Sequence, residues 1–190
     1  MNFLGHLYLS GDDPLIIVGN FMADAVKGRD LSHHPEGIQR GIRLHRAIDV
    51  ATDAHPMHRV GRERVRAHAG RYAGVVMDLF YDHLLAIDWQ EHHPEPLEAF
   101  SARMYRLLEA HHHLLPQRTR EMLPWMMRGD WLTSYATLGG IGRALDGLSR
   151  RAPQGASMQG AETVLADHFQ DYRAEFGTFL HDLRMTVQGS

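Results

Sequence analysis

Apolar residues recur with the period of an α-helix along almost the whole chain, and this pattern constrains the fold more than any other feature. Near the C-terminus Tyr172, Phe176 and Leu180 follow i, i+4, i+8 spacing, which places them on one face of a helix. The segments 71–88 and 97–115 repeat the pattern. No run shows the convincing period-two alternation of a half-buried strand. The sequence therefore predicts an all-α protein.

Short proline- or glycine-containing segments separate the helical runs, as expected for closely packed helices. They lie at 11–14, 28–35, 55–56, 93–96, 115–116, 129–130 and 153–160. A chain of 190 residues is long enough to bury roughly two-thirds of its unfolded surface. Neither an internal repeat nor a linker is visible. We therefore expect a single domain spanning residues 1–190.

The amino-acid composition argues against several classes of function. The chain has no cysteine, which excludes disulfides and thiolate ligands. A net charge of −3, from 20 basic and 23 acidic residues, argues against broad nucleic-acid binding. The chain has no run of about 18 apolar residues that would span a membrane, and its start lacks the features of a secretory signal. We expect a cytoplasmic protein with neither a membrane nor a nucleic-acid partner.

Pairs of metal-capable side chains spaced four residues apart recur three times between residues 20 and 83. They are Asn20/Asp24, His45/Asp49 and Asp78/Asp82, the last followed by His83. Residues at i and i+4 share a helix face, so each pair can present two ligating groups in one direction. Three such pairs in an apolar helical context indicate a metal site assembled between helices.

A mixed His/Asp donor set without cysteine favours Mn²⁺, Mg²⁺ or Fe²⁺ over structural zinc. The candidates outnumber the ligands of one ion, so either some orient the others or the site holds two metals. Each also has an ordinary interpretation, such as a satisfied core histidine or an intrahelical ion pair. The full set is His6, Asn20, Asp24, His45, Asp49, Asp53, His55, Asp78, Asp82 and His83.

No nucleophile or phosphate-loop motif competes with this metal site. The glycine-rich segment 138–142 lacks the strand context of a nucleotide-binding loop, which favours close helix packing or a bend. A basic segment at 58–71 contains five arginines and a single acidic residue, Glu63. Arginine grips carboxylates and phosphates in a bidentate manner, so this segment suits one acidic partner; the alternative is a solvated helix face.

Five blocks of the chain resemble the acyl carrier protein phosphodiesterase family. In order they read MNFLGHLYLS, GNFMADAVKG, GIRLHRAIDVATDAHP, AGVVMDLFYDHLLAIDW and WLTSYATLGGIGRAL, and the resemblance extends to about residue 185. Gly5 stands where the family pattern has alanine. The resemblance implies an all-helical fold similar to a rearranged HD-type phosphohydrolase. It also implies removal of 4′-phosphopantetheine from holo acyl carrier protein, with Mn²⁺ favoured.

With that reaction, the metal-binding core is predicted to be Asp24, His45, Asp49, Asp78 and Asp82. Catalytic acid/base or water-orienting roles fall to His6, Asp53 and His83, with Asp24 also counted as catalytic. The carrier protein is predicted to dock on Arg59, Arg62, Arg64, Arg66 and Arg71. Three alternatives stay open: a phosphohydrolase for nucleotides or other small phosphodiesters, a non-catalytic module that binds acyl carrier protein, and a helical metal-storage protein.

Overall fold

Helices form the regular structure of the computed structural model, which describes residues 1–188. The α-helices are α1 (Phe3–Tyr8), α2 (Pro14–Met22), α3 (Glu36–Ala54), α4 (Pro56–Ala69), α5 (Ala73–Ile87), α6 (Trp89–His92), α7 (Leu97–Ala110), α8 (Gln117–Arg128), α9 (Trp131–Ser134), α10 (Leu138–Ser149), α11 (Glu162–Asp167) and α12 (Phe169–Gln188). No strand occurs among residues 1–188, and the all-α prediction is confirmed. In the same residues, no helix combines the length and apolar character needed to cross a bilayer.

The helices begin where the predicted breaks end. Proline occupies the first position of α2 (Pro14) and of α4 (Pro56), where its missing N–H costs no helical hydrogen bond. The side chain of Asp13 accepts hydrogen bonds from two amides in the first turn of α2. His55 accepts one from the first turn of α4 at 3.2 Å. His55, a candidate metal ligand in the sequence, therefore acts here as a helix cap.

Helix α5 is buried over most of its circumference and forms the centre of the core. Its Tyr81 ring packs against Phe179 of α12 at a centroid distance of 4.3 Å and against Phe176 at 5.3 Å. Helices α1, α4, α10 and α12 all contact α5. Helix α5 reaches a surface cavity through Val75, Leu79 and the partly exposed Asp78.

Two glycines bring the backbones of α2 and α3 into direct contact. A Cβ atom at Gly19 would overlap the carbonyl oxygen of Ile38, and one at Gly41 would overlap that of Ile16. Larger side chains at these positions would push the two helices apart. The close approach lets Asn20 of α2 reach His45 of α3, as described next.

Candidate metal centre

Three side chains from two helices converge on one point. His6 comes from α1, and His45 and Asp49 lie one turn apart on α3. Each offers one ligand atom, and these atoms lie within 4.8 Å of one another. His6 Nε2 is 3.2 Å from one Asp49 carboxylate oxygen, and His45 Nε2 is 3.2 Å from the other. The two imidazole rings stack with a centroid distance of 3.9 Å.

Asn20 orients both imidazoles through their Nδ1 atoms, on the ring side away from Asp49. Its Oδ1 accepts a hydrogen bond from His6 Nδ1 and another from His45 Nδ1, each at 3.0 Å. Its Nδ2 donates to the carbonyl oxygen of His6 and to Ser10 Oγ, which sets the amide orientation. Because an amide oxygen only accepts, both Nδ1 atoms carry hydrogen and both Nε2 atoms face Asp49. Such a buried partner selects the tautomer that a metal-binding histidine needs.

Asp24 adds a second carboxylate at the open side of the cluster. It lies in the 3₁₀ turn that follows α2, and its Oδ1 is 3.2 Å from His45 Nε2. Its side chain is 82% exposed, whereas that of Asp49 is 45% exposed. A ligand entering from solvent would therefore meet Asp24 first.

Opposing effects set the charges in the cluster. Burial disfavours the cationic form of His45, but the hydrogen bonds and charges of Asp24 and Asp49 outweigh it and raise the His45 pKa to about 9. Burial lowers the pKa of His6 despite its contact with Asp49. Burial also opposes ionisation of Asp49, yet the two histidines hold its pKa well below the usual range. At neutral pH the cluster thus presents ionised carboxylates beside a neutral His6 imidazole and a His45 imidazolium, whose proton a bound cation would displace.

The cluster opens into a cavity of about 350 Å³. Asp53 and Asp78 line the same cavity, so the structure gathers six of the predicted site residues around one space. Asp78 accepts a hydrogen bond from the α-amino group of Met1 at 2.9 Å. The carboxylate of Asp53 makes no hydrogen bond or ion pair within residues 1–188. Of the two, Asp53 is therefore the carboxylate that is available to a ligand.

The structure places Asp82 and His83 outside this cavity. Asp82 is fully buried and accepts hydrogen bonds from the backbone amides of Asn2, Leu4 and Gly5 at 2.7–3.1 Å. Burial raises its pKa to about 7, against the three amides and the Met1 ammonium. His83 is buried with its Nδ1 2.7 Å from the carbonyl oxygen of Tyr135. These contacts give both residues a structural task, so a ligand role for Asp82 and an acid/base role for His83 gain no support.

Sequence reasoning missed one buried histidine near the cavity. His58 of α4 is 0% exposed, and neither ring nitrogen has a hydrogen-bond partner in the part of the chain described. Its Nε2 lies 3.8 Å from Asp78 Oδ1. The spacing rule does not select His58, because the residues four positions away, Ala54 and Arg62, are not metal ligands.

The basic segment is less available than the sequence indicated. Arg64 forms a bidentate ion pair with Glu175 at 2.5 and 2.9 Å. Arg66 pairs with Glu63 at 2.8 Å, and Arg71 donates to Tyr72 Oη and to the carbonyl oxygen of Pro153. Within residues 1–188, Arg59 and Arg62 are the two of the five whose side chains make no ion pair or hydrogen bond.

Comparison with known proteins connects this arrangement to one family. A model of the family described as acyl carrier protein phosphodiesterase matches residues 1–183. A relative of that name from Photorhabdus laumondii is 33% identical over 180 residues, which cover 94% of this chain and 91% of the relative. One from Yersinia pestis is 31% identical over 189 residues, covering 99% and 98%. No solved structure matches the chain, so the likeness to HD-type phosphohydrolases stays a prediction.

Proposed function

This chain belongs to the acyl carrier protein phosphodiesterase family, and we propose that it hydrolyses the phosphodiester of holo acyl carrier protein. The products are apo carrier protein and 4′-phosphopantetheine. The observation that supports the proposal is the cluster of His6, His45 and Asp49 at the edge of an open cavity. With a divalent cation bound, such a cluster would suit a reaction at phosphorus, where negative charge on the phosphate must be neutralised.

The donor set fits a divalent cation of the Mn²⁺ or Mg²⁺ type. Imidazole nitrogens and carboxylate oxygens are ligands that these ions accept, with imidazole favouring Mn²⁺. The Nε2 atoms of His6 and His45 each lie 3.2 Å from a different Asp49 oxygen. One ligand atom from each of the three residues lies within 4.8 Å of the others, so the three are close enough to share one ion. His6, His45 and Asp49 would hold the ion, with Asp24 beside them.

A bound ion supplies positive charge to the phosphate and lowers the pKa of the attacking water. Asn20 holds both imidazoles so that their Nε2 atoms face the cavity. Water adds to phosphorus while the bond between phosphorus and the serine oxygen breaks. One proton leaves the water and one is taken up by the serine oxygen. Asp53 is our candidate for handling these protons, because it lines the cavity and its carboxylate is uncommitted within residues 1–188.

Intact-mass spectrometry of holo acyl carrier protein incubated with this protein and Mn²⁺ tests the proposal. We expect loss of the 4′-phosphopantetheine mass and accumulation of apo carrier. Excess EDTA should abolish the reaction, and renewed Mn²⁺ should restore it. A folded, metal-loaded protein that leaves the holo carrier intact would refute the proposal. Hydrolysis of a small phosphodiester in that case would favour the small-substrate alternative, and carrier binding without cleavage would favour a binding module.

Arg59 and Arg62 are the residues of the basic segment that we propose for carrier docking. Replacing both by glutamate should weaken association by roughly 1 kcal/mol per residue, or about fivefold for each replacement, at low ionic strength. The loss should shrink at high salt, because screening weakens the attraction between charges near the surface. KM for holo carrier measured across a salt series checks this. Arg106→Glu, an exposed arginine of α7 outside the cavity lining, is the control. Equal KM values for the double variant and this control would contradict a docking role.

A further inference from the structure

A second cavity, of about 220 Å³, shares lining residues with the cavity of the His6, His45 and Asp49 cluster. One wall is a face of α10, and the opposite wall includes the rings of Phe3 and Trp131. These rings lie 6.4 Å apart, measured between centroids. Asn2, Ser134 and Tyr135 contribute polar groups to a mainly apolar lining, and Arg143 and Arg151 lie at its border. A mainly apolar cavity with a few polar groups is typical of a site for a small organic ligand.

The glycine-rich sequence of α10 creates this space. Gly140 is needed for packing, since a Cβ atom there would overlap the carbonyl oxygen of Ser134. Gly147 differs, because a Cβ atom there would meet only the Arg151 guanidinium, at 3.9 Å. Gly147 lines the cavity together with Ala144, which lies three residues earlier, about one turn away on the same helix face. A side chain at position 147 would therefore extend into the cavity and leave the helix packing intact.

The second cavity adjoins the 350 Å³ cavity at the His6, His45 and Asp49 cluster. Asn2 and Leu148 line both spaces, so one ligand can have one end in each. The side chain of Asn2 is held at this boundary by a hydrogen bond from its Nδ2 to Tyr135 Oη at 3.3 Å. If the phosphate of a substrate lies at the candidate metal centre, the rest of the substrate would extend past Asn2 and Leu148 into the second cavity.

Two exposed arginines border the second cavity and lack acidic partners. Arg143 and Arg151 form no ion pair within residues 1–188, and Arg151 Nε donates to the carbonyl oxygen of Gly147 at 2.9 Å. By contrast, two arginines of the basic segment, Arg64 and Arg66, pair with glutamates. Unpaired guanidinium groups beside the cavity favour a ligand that carries an anionic group.

We propose that this second cavity binds the pantetheine arm of the substrate. The proposal rests on the proposed function and specifies which surface recognises the arm. The arm joins an anionic phosphate to a gem-dimethyl group, a hydroxyl, two amides and a thiol. Its apolar parts suit the Phe3, Trp131 and Leu148 walls, and its amides can hydrogen-bond to Asn2, Ser134 or Tyr135. Arg143 and Arg151 would add positive charge along the path of this anionic substrate.

Gly147→Leu is the variant that tests this assignment, because it fills the cavity. Gly177→Leu is the matched control: Gly177 is an exposed glycine of α12, and a Cβ atom there has no neighbour within 4 Å. Binding of free D-pantetheine to the full chain is measured by ligand-observed NMR titration. Pantetheine lacks the phosphate, so its binding reports on the cavity without the metal reaction. Thermal melting of each variant verifies folding, and Gly147→Ala supplies a smaller side chain at the same position.

We expect pantetheine to bind the unmodified chain and the Gly177→Leu control equally. Gly147→Leu should weaken binding at least tenfold, and Gly147→Ala should have a smaller effect. Hydrolysis of holo carrier by Gly147→Leu should show a similar loss in kcat/KM. Equal binding to the unmodified chain and Gly147→Leu, or no binding to the unmodified chain, would overturn the assignment. Cavity-dependent pantetheine binding without carrier hydrolysis by the unmodified chain would support the assignment and refute the proposed function instead.

Discussion

Asp49→Ala is expected to lower kcat/KM for holo acyl carrier protein by about a thousandfold or more. Asp49 is the carboxylate that contacts the Nε2 atoms of both His6 and His45. Its removal leaves two imidazoles without the anionic group that completes the proposed cation site. The loss of charge neutralisation at the phosphate is the kind of defect that costs several kcal/mol of transition-state stabilisation.

Metal binding and folding measurements separate this defect from unfolding. The Asp49 side chain is 45% exposed, so Asp49→Ala should melt within a few degrees of the unmodified protein. Its Mn²⁺ affinity, measured by isothermal titration, should fall at least a hundredfold. Asp12→Ala, at an exposed loop position, should change neither property. An Asp49→Ala protein with activity within tenfold of the unmodified chain would exclude Asp49 from the metal site.

Asp82→Ala is expected to destabilise the protein by roughly 3–5 kcal/mol. Three amides at the start of the chain would lose their buried acceptor, and each such loss costs about 1–3 kcal/mol. This is a large share of the roughly 5–15 kcal/mol that stabilises a typical domain. The raised pKa of Asp82, about 7, reflects the cost of burying its charge, which the amides partly offset.

Urea unfolding of Asp82→Ala and Asp82→Asn distinguishes this structural role from metal binding. The asparagine variant keeps one acceptor oxygen and should recover part of the lost stability. Asp82→Asn should also bind Mn²⁺ more tightly than Asp82→Ala. The reason is that α1 carries His6 and its N-terminus is held by Asp82. A fully stable Asp82→Ala protein that has lost metal would reverse our interpretation and restore Asp82 as a ligand.

The i, i+4 rule succeeded where both residues of a pair face the same cavity. His45 and Asp49 lie one turn apart on α3, and their side chains meet. The same rule was insufficient for Asp78 and Asp82. Both lie on α5, but Asp78 reaches the cavity whereas Asp82 lies beneath the N-terminus of α1. Spacing establishes a shared helix face, but not which neighbouring element covers each part of it.

Asn20 likewise shows that spacing along the chain does not reveal which residues a side chain contacts. Its pairing with Asp24 suggested two ligands, yet its oxygen accepts from both imidazoles and its nitrogen donates to α1 and Ser10. A residue that orients ligands is recognisable only when the ligands from other helices are in place. His6 belongs to the cluster for the same reason, since α1 brings it to α3 through tertiary packing.

By itself the sequence determined the all-helical fold, the breaks between helices and the candidate ligand types, because helix formation and side-chain spacing are local. It also indicated the family, because five blocks of residues resemble it in order, and the family model that matches residues 1–183 confirms this. Only the tertiary structure decided which candidates form one cluster, which arginines are paired and where α10 leaves a cavity. These depend on contacts between residues far apart in the chain, such as the backbone approach at Gly19 and Gly41 that places Asn20 beside His45.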